Sequence, residues 1–324
     1  MSKTVLTTDI TIASPRVQAA LAAPPSPRRG LARRERQHLI GWLFALPWTT
    51  IFIIFMALPI LASFVLSFTD FGLANLQNLF AVHFIGLQNY VHLVHDQTFL
   101  TSAMNTFIIV VIGVPLNIAL SLLAAMGISR GVSALRTIFR VGYYLPVVTS
   151  FVAIAVVWRF LLDSDVGLVN NLLHLVGLPS PNWLGNPQLA LLSIIFVIVW
   201  HNIGAGMIIF LAGLQGIDTA LYEAAKIDGA GTLPLFRHIT LPLLRPTLLF
   251  VTVLTSIGFL QAFQEPYVMT QGGPLNSTLT VQMYLYQQGF NFFNLGYASA
   301  IGYVLFVAIV ILAFVQFRLL RSET

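Results

Sequence analysis

The chain contains no cysteine, which excludes disulfides and thiolate metal sites but implies nothing about compartment. Lysine is almost absent, with Lys3 and Lys226 the only two. A phosphate-cradling P-loop needs Gly-Lys-Ser/Thr after a glycine-rich turn. These lysines follow Ser2 and Ala225, so no such loop exists in the chain and it cannot hydrolyse ATP by that route. Charge of either sign is scarce: 8% of residues are Asp, Glu, Lys or Arg, against roughly 25% in a soluble domain. The amphipathic periods of a soluble fold are missing, because whole windows are apolar. The net charge of +5 could suggest nucleic acid, yet the basic residues are scattered between apolar runs and no RNA- or DNA-binding signature occurs.

What is present is hydrophobic, at 57% of residues and a mean hydropathy of +0.85. Six stretches, at about 40–68, 100–127, 138–162, 189–214, 247–270 and 296–318, each approach the roughly 20 residues that a bilayer core requires. The distribution of arginine and lysine orients them. With the N-terminus inside, the inner segments hold Lys3, Arg16, Arg28, Arg29, Arg33, Arg34, Arg36, Arg130, Arg136, Arg140, Lys226, Arg237, Arg245, Arg318 and Arg321. The outer segments hold none. Arg159 alone sits elsewhere, near the outer end of the third span, where its long side chain can snorkel to the headgroups. Asp70, Asp96, Asp163, Asp165 and Glu265 lie outside or at the outer rim. The pattern predicts an all-α, multi-pass inner-membrane protein of six spans with both termini cytoplasmic.

Residues 1–38 differ from the rest. Rich in Ala, Pro, Ser and Thr and ending in five arginines, they read as a disordered basic cytoplasmic tail preceding a transmembrane domain over 39–324. The apolar run after the arginines is too long for a signal peptide and has no small-residue cleavage site. The prolines inside spans (Pro47, Pro59, Pro115 and Pro146) read as packing kinks that neighbouring helices can satisfy.

One segment breaks the apolar pattern: EAAKIDGAGTLPLFRHITLPLLRP, residues 223–246. Asp218 or Thr219 can cap a short helix. Leu221, Ala224 and Ala225 form a compact apolar face, while Glu223, Lys226 and Asp228 keep it soluble. Gly229 stands where the chain must reverse through left-handed φ. Thr232 then caps a second short helix with Pro234 in its first turn, Phe236 and Ile239 share an edge, and Leu241-Pro242 and Pro246 stop it. The reading is a helix–turn–helix over 218–246 on the cytoplasmic side between spans four and five.

The positions Glu223, Ala224, Ala225, Asp228, Gly229, Ala230, Phe236, Ile239, Leu241, Pro242 and Pro246 resemble the cytoplasmic coupling segment of binding-protein-dependent ABC importer permeases. Two further segments resemble the carbohydrate branch: the Gly-Leu-x-Asn-Tyr block within residues 84–90, and the Thr-x-Gly-Gly-Pro loop that carries Gly272, Gly273 and Pro274. One departure is Gln264, where members often carry Asp after the phenylalanine at the Phe263 position. The resemblance implies a permease subunit working as half of a pair with a second permease, most simply as a heterodimer. It further implies two docked ATPase subunits and an extracytoplasmic substrate-binding protein facing the Gly-Gly-Pro loop. No cofactor is expected on this chain, since ATP and Mg belong to the partner ATPase. Glu223 and Gly229 are the positions expected to matter most for coupling.

A sugar path needs hydroxyl-matching groups and aromatic faces within the membrane, where polar side chains are rare unless they face a cavity or a partner. Trp200 and Asn202 in span four, and Gln261, Gln264, Glu265 and Tyr267 in span five, are the candidates; Asn117 and Trp158 are weaker ones. His201 has no His or carboxylate at i±3 or i±4, which argues against a metal or proton relay, and the outer His83, His92 and His95 read as solvated. A secondary transporter would show internal repeats and intramembrane carboxylates, which six spans with only Arg159 and Glu265 near the membrane rim fit poorly, so it stays open as the lesser alternative; a channel would show a polar-lined span, and no span is so patterned. Importers of glycerol-phosphate esters, amino acids or peptides stay open beside sugars.

Overall fold

The computed structural model describes residues 42–76, 82–130 and 133–320. The expected basic tail lies outside these. Contact clustering divides the chain into two units, Met1–Leu61 and Ala62–Thr324. The first contributes most of helix α1 (Trp42–Leu66), which is long and apolar enough to cross a membrane. Within α1 a π-turn at Ile53–Ala57 precedes Pro59; Leu58 N–H reaches back to the Ile53 carbonyl, so the helix absorbs a residue that cannot donate.

The second unit continues with α2 (Gln88–His95), α3 (Gln97–Arg130), α4 (Ser133–Val148), α5 (Phe151–Leu161), α6 (Leu168–Leu175) and α7 (Pro187–Gln215). Then come α8 (Thr219–Ile227), α9 (Thr232–Leu235), α10 (Arg245–Leu260), α11 (Gln264–Met269), α12 (Val281–Tyr286) and α13 (Leu295–Leu320). Five helical stretches among the described residues pass as membrane spans: Trp42–Leu66, Gln97–Ser129, Pro187–Gln215, Arg245–Met269 and Leu295–Leu320. Each falls within a few residues of a stretch chosen from hydropathy.

The third expected span differs. Residues 138–162 are not one helix but two, α4 and α5, meeting at 99° across a break at Thr149–Ser150. Pro146 lacks the N–H that would continue the ladder, and the last turn closes instead by Thr149 N–H to the Pro146 carbonyl at 3.1 Å. Hydropathy sees only that both arms are apolar, so the bend was invisible to it.

Helices α3 and α7 form the central seam. Asn117, 1% exposed, donates from Nδ2 to the Val199 carbonyl at 3.2 Å, and Ser121 Oγ donates to the Ile203 carbonyl at 3.0 Å. A Cβ on Gly206 would stand 2.6 Å from Ser121 Oγ, so glycine sets the spacing there. Around the seam lie three apolar clusters. One gathers Ile109, Val114, Ile154, Ile194, Ile198 and Phe259; a second Leu93, Leu279, Met283, Ile301 and Leu305; a third Leu122, Met207, Phe210, Leu244 and Val251.

The bent pair packs on α7 at Gly204, where an added Cβ would meet the Tyr143 carbonyl oxygen at 2.1 Å and its carbon at 2.8 Å. Backbone cannot yield as a side-chain tip can. Gly204→Val is therefore expected to destabilise the protein by about 1–3 kcal/mol, read as a lowered thermal unfolding midpoint in detergent, whereas the same change at Gly258, which meets nothing within 4 Å, is expected to leave the midpoint nearly unchanged.

Candidate functional site

The segment over 218–246 folds as a hairpin between the end of α7 and the start of α10. Asp218 caps α8, its Oδ1 accepting from Ala220 N–H at 2.9 Å. The helix ends as the sequence suggested: Gly229 has φ +82°, its N–H bonds the Lys226 carbonyl at 3.0 Å, and Ala230 N–H reaches the Ala225 carbonyl at 2.9 Å. The second arm differs in detail. Gly231, not Thr232, is the cap of α9, and Thr232 is its first residue. Nor do the prolines stop the helix. A π-turn at Phe236–Thr240 with Leu241 N–H to the Phe236 carbonyl precedes Pro242, and Pro242 and Pro246 each stand at the start of the next helical piece.

Tyr222 Oη and Thr240 Oγ1, 3.0 Å apart, tie the two arms together. A cavity of 590 Å³ lies beneath them, bordered by Met126, Ser129, Leu214, Glu223, Lys226 and Leu235. Glu223, Ala224, Asp228 and Gly229 are exposed, Ala225, Ala230 and Phe236 partly so. Ile227 is 86% and Leu233 73% exposed, apolar surface presented at the tip of a hairpin.

The intramembrane candidates fall on two elements. On α7, Trp200 packs edge-on against Trp158 of α5 at 5.4 Å, and half-buried Asn202 spends its Nδ2 on the Ile198 carbonyl of its own helix at 2.8 Å. Gln261 ends α10, and α11 carries exposed Gln264, buried Glu265 and Tyr267. Glu265 stands in the first turn of α11. Tyr267 joins Phe263 at 5.1 Å and Tyr286 at 5.6 Å, and Tyr286 stacks on Phe290 at 5.2 Å. Reading the sequence missed Tyr286 and Phe290, because they come from α12 and the turn after it and carry no motif. Buried His201 packs edge-on against Phe151 at the α4–α5 break, 4.3 Å between ring centres. Asn117 and Trp158, the weaker candidates, serve helix packing.

At the opposite end from the coupling hairpin, the two loop motifs turn out to be built into the fold. In the first, Asn89 Nδ2 donates to the carbonyls of Ser67 and Thr69, both at 2.9 Å, and Tyr90 Oη pairs with Ser67 Oγ at 2.8 Å, so the block clamps the end of α1. In the second, Gly272 is buried while Gly273 and Pro274 are partly exposed; the outermost residue is Leu275, at 89%. Thr278 Oγ1 closes this loop onto the Gly273 carbonyl at 2.9 Å, and Asn105 Nδ2 holds it to α3 through the carbonyls of Asn276 and Leu279 at 2.7 and 2.9 Å.

Beside it Asp96 gathers four donors. Its Oδ1 accepts from the N–H groups of Thr98 and Phe99 at 2.9 and 3.3 Å, starting α3, while Oδ2 accepts the hydroxyls of Tyr284 and Tyr297 at 2.5 and 2.6 Å. Burial opposes the charge, but the hydroxyls of Tyr284 and Tyr297 and the two N–H groups outweigh it and hold the carboxyl below its ordinary range. Burial and the same carboxylate push the Tyr284 hydroxyl up.

Residues 117–322 match the family described as binding-protein-dependent transport system inner membrane component. The lactose transport system permease protein of Rhizobium radiobacter is 38% identical over 289 residues, covering 87% of this chain and 94% of that protein. An arabinooligosaccharides transport system permease protein of Bacillus subtilis is 34% identical over 289 residues, covering 87% and 88%. Among solved structures, a chain of a bacterial ABC transporter involved in the import of the acidic polysaccharide alginate superposes with a TM-score of 0.76 at 25% identity, covering 91% of this chain and 99% of that one.

The Asp96 pin has a pH signature. Because its folded pKa lies below the unfolded value of about 3.9, its stabilisation is complete above that pH and is lost as pH falls through the folded value. The thermal midpoint is expected to drop on acidification below about pH 4, and Asp96→Asn to flatten that part of the profile. Tyr284→Phe and Tyr297→Phe are each expected to cost about 1–3 kcal/mol at neutral pH.

Proposed function

Because the chain belongs to the family of binding-protein-dependent transport system inner membrane components, we propose that it is a permease subunit of an ATP-driven sugar importer, forming half of the translocation path. It is a transport subunit, not an enzyme. The observation that carries the reading is the hairpin of residues 218–246. A rigid, glycine-reversed, apolar-tipped element is held between two long apolar helices, at the end of the molecule opposite the Gly-Gly-Pro loop. Exposed Ile227 and Leu233 need a cover, and a cleft in an ATPase subunit supplies one.

In this reading the chain crosses the membrane six times, counting α4 and α5 as one broken span, with both termini in the cytoplasm and the basic tail 1–38 preceding the transmembrane domain. A second permease completes the path, and two ATPase subunits, which hold ATP and Mg, grip the hairpins. Their closure on ATP draws the coupling helices together and opens the cavity outward; hydrolysis releases it inward. Glu223, Ala224, Ala225, Asp228, Gly229, Ala230 and Phe236 form the ATPase contact. Trp200, Asn202, Gln261, Gln264, Glu265 and Tyr267 line the path, with Gly272, Gly273 and Pro274 in the loop facing a docked binding protein. The amides and hydroxyl of that set suit sugar hydroxyls, which both donate and accept. The solutes in the names of the two permease relatives, lactose and arabinooligosaccharides, support the same class.

Gentle purification of the tagged chain from its native membrane is expected to bring a second permease and a P-loop ATPase with it, and proteoliposomes of that complex to take up sugar only with ATP inside and binding protein outside. Uptake without ATP by the chain alone sinks the proposal. Gly229 separates backbone from side-chain effects: Gly229→Asn, which tolerates left-handed φ, is expected to retain part of the uptake. Gly229→Asp is expected to abolish it while leaving the chain inserted, because it adds charge to the docking tip.

A further inference from the structure

The outer end holds a polar cleft of 370 Å³ that neither loop motif nor the path candidates account for. Asp70, Asn89, His92, Tyr284, Gln288, Asn294 and Tyr297 line it, contributed by the chain after α1, by α2, by α12 and the turn after it, and by the start of α13. Both bonds from Asn89 Nδ2 go to the Ser67 and Thr69 carbonyls. Asn294 Nδ2 donates to Gln288 Oε1 at 2.9 Å, and Gln288 Nε2 donates to Tyr284 Oη at 2.9 Å. The protons of Tyr284 and Tyr297 are both committed to Asp96 behind the wall. The His92 ring lies against Tyr297, 5.0 Å between centres.

Acceptors line the cleft at the amide oxygens of Asn89 and Asn294, the Tyr297 oxygen and the Asp70 carboxylate, whose Oδ2 also pairs with exposed His83 Nδ1 at 3.1 Å; the second amide protons of Asn294 and Gln288 and the His92 ring are the remaining donors. Asp70 keeps its charge at the rim, held below the usual carboxylate range first by the His83 backbone N–H, which reaches Oδ1 at 2.7 Å. Among the described residues, no lysine or arginine lines the cleft. A sugar hydroxyl carries no charge to meet the Asp70 carboxylate at the rim. An ammonium or guanidinium group, which only donates, matches it. The segments on this side of the membrane carry Asp70, Asp96, Asp163 and Asp165 against Arg159 alone, so the field over the face is negative.

We propose that this cleft seats a lysine or arginine side chain of the substrate-binding protein, and that an acidic permease face meets a basic binding-protein face. The inference rests on the importer reading, since it needs a protein that docks from outside. The contact is a rim interaction, so it acts on encounter and register more than on the chemistry of transport.

The test uses the whole complex in nanodiscs, titrated with the binding protein that co-purifies with it, while ATP hydrolysis is followed. Asp70→Lys and, separately, Asn294→Lys are expected to raise the half-stimulating concentration of binding protein by roughly tenfold, and to weaken its dependence on salt. Reversing one lysine or arginine of the binding protein to glutamate is expected to restore stimulation to the Asp70→Lys complex. Unchanged half-stimulation in both variants, with normal stimulation of the unmodified complex, overturns the cleft assignment alone. No stimulation of the unmodified complex by any binding protein overturns the importer reading instead. Lactose binding to the complex without binding protein, lost in Asp70→Lys, would make the cleft a sugar subsite and overturn the proposal.

Discussion

A bilayer offers no water to a buried polar group, so every carbonyl, amide and hydroxyl within it needs a partner inside the protein. That constraint explains the α3–α7 seam. Lipid tails are as apolar as leucine, so burying Ile194 or Met207 gives little drive for helices to associate. What fixes the pair is the amide of Asn117 on the Val199 carbonyl, the hydroxyl of Ser121 on the Ile203 carbonyl, and a glycine at position 206 that lets them approach. Once the seam is set, α10 packs against both helices through Val251 and Phe259, and the bent pair α4–α5 closes on Gly204.

The same constraint shapes the irregular places. Each π-turn that precedes a proline lets the helix skip the donor the proline lacks without breaking: Ile53–Ala57 before Pro59, and Phe236–Thr240 before Pro242. The second of these matters mechanically. It keeps the chain helical from α9 through Leu243, with Leu244 alone between that run and α10. Leu244, 1% exposed and packed with Met207 and Phe210 in one cluster, anchors that junction to α7.

Much of this was legible in the sequence. Five spans could be placed from hydropathy because long apolar runs are a local property. Asp218 as a cap and Gly229 as the reversing residue could be named because both act on their immediate neighbours. The misses are of another kind. The 99° break at Thr149–Ser150 lies just beyond Pro146, which marks a kink in the sequence but not its size, and the apolar composition of both arms hides it. Thr232 was a reasonable cap by residue type, but Gly231 holds the extended conformation that capping requires. Asp96 was read from the sequence only as an acidic residue outside or at the outer rim; that Tyr284 and Tyr297 deliver their hydroxyls to it across more than 180 positions of chain was not legible there. Among the path candidates, Asn202 and Asn117 show why a lone amide is ambiguous: both spend Nδ2 on a backbone carbonyl, one within its helix and one across the seam.

The two ends of the molecule are built to opposite specifications. At the outer end, loops are tied down by their own side chains: Asn89 and Tyr90 on the end of α1, Asn105 and Thr278 on the Gly-Gly-Pro loop, and Asp96 on two tyrosines. At the other end, the hairpin is braced by a single side-chain pair, Tyr222 with Thr240, and turns Ile227 and Leu233 outward. A surface with its polar groups already satisfied can receive and release a partner without rearranging, which suits repeated docking. A surface that leaves large apolar side chains uncovered is stable only with a partner in place, which suits permanent attachment.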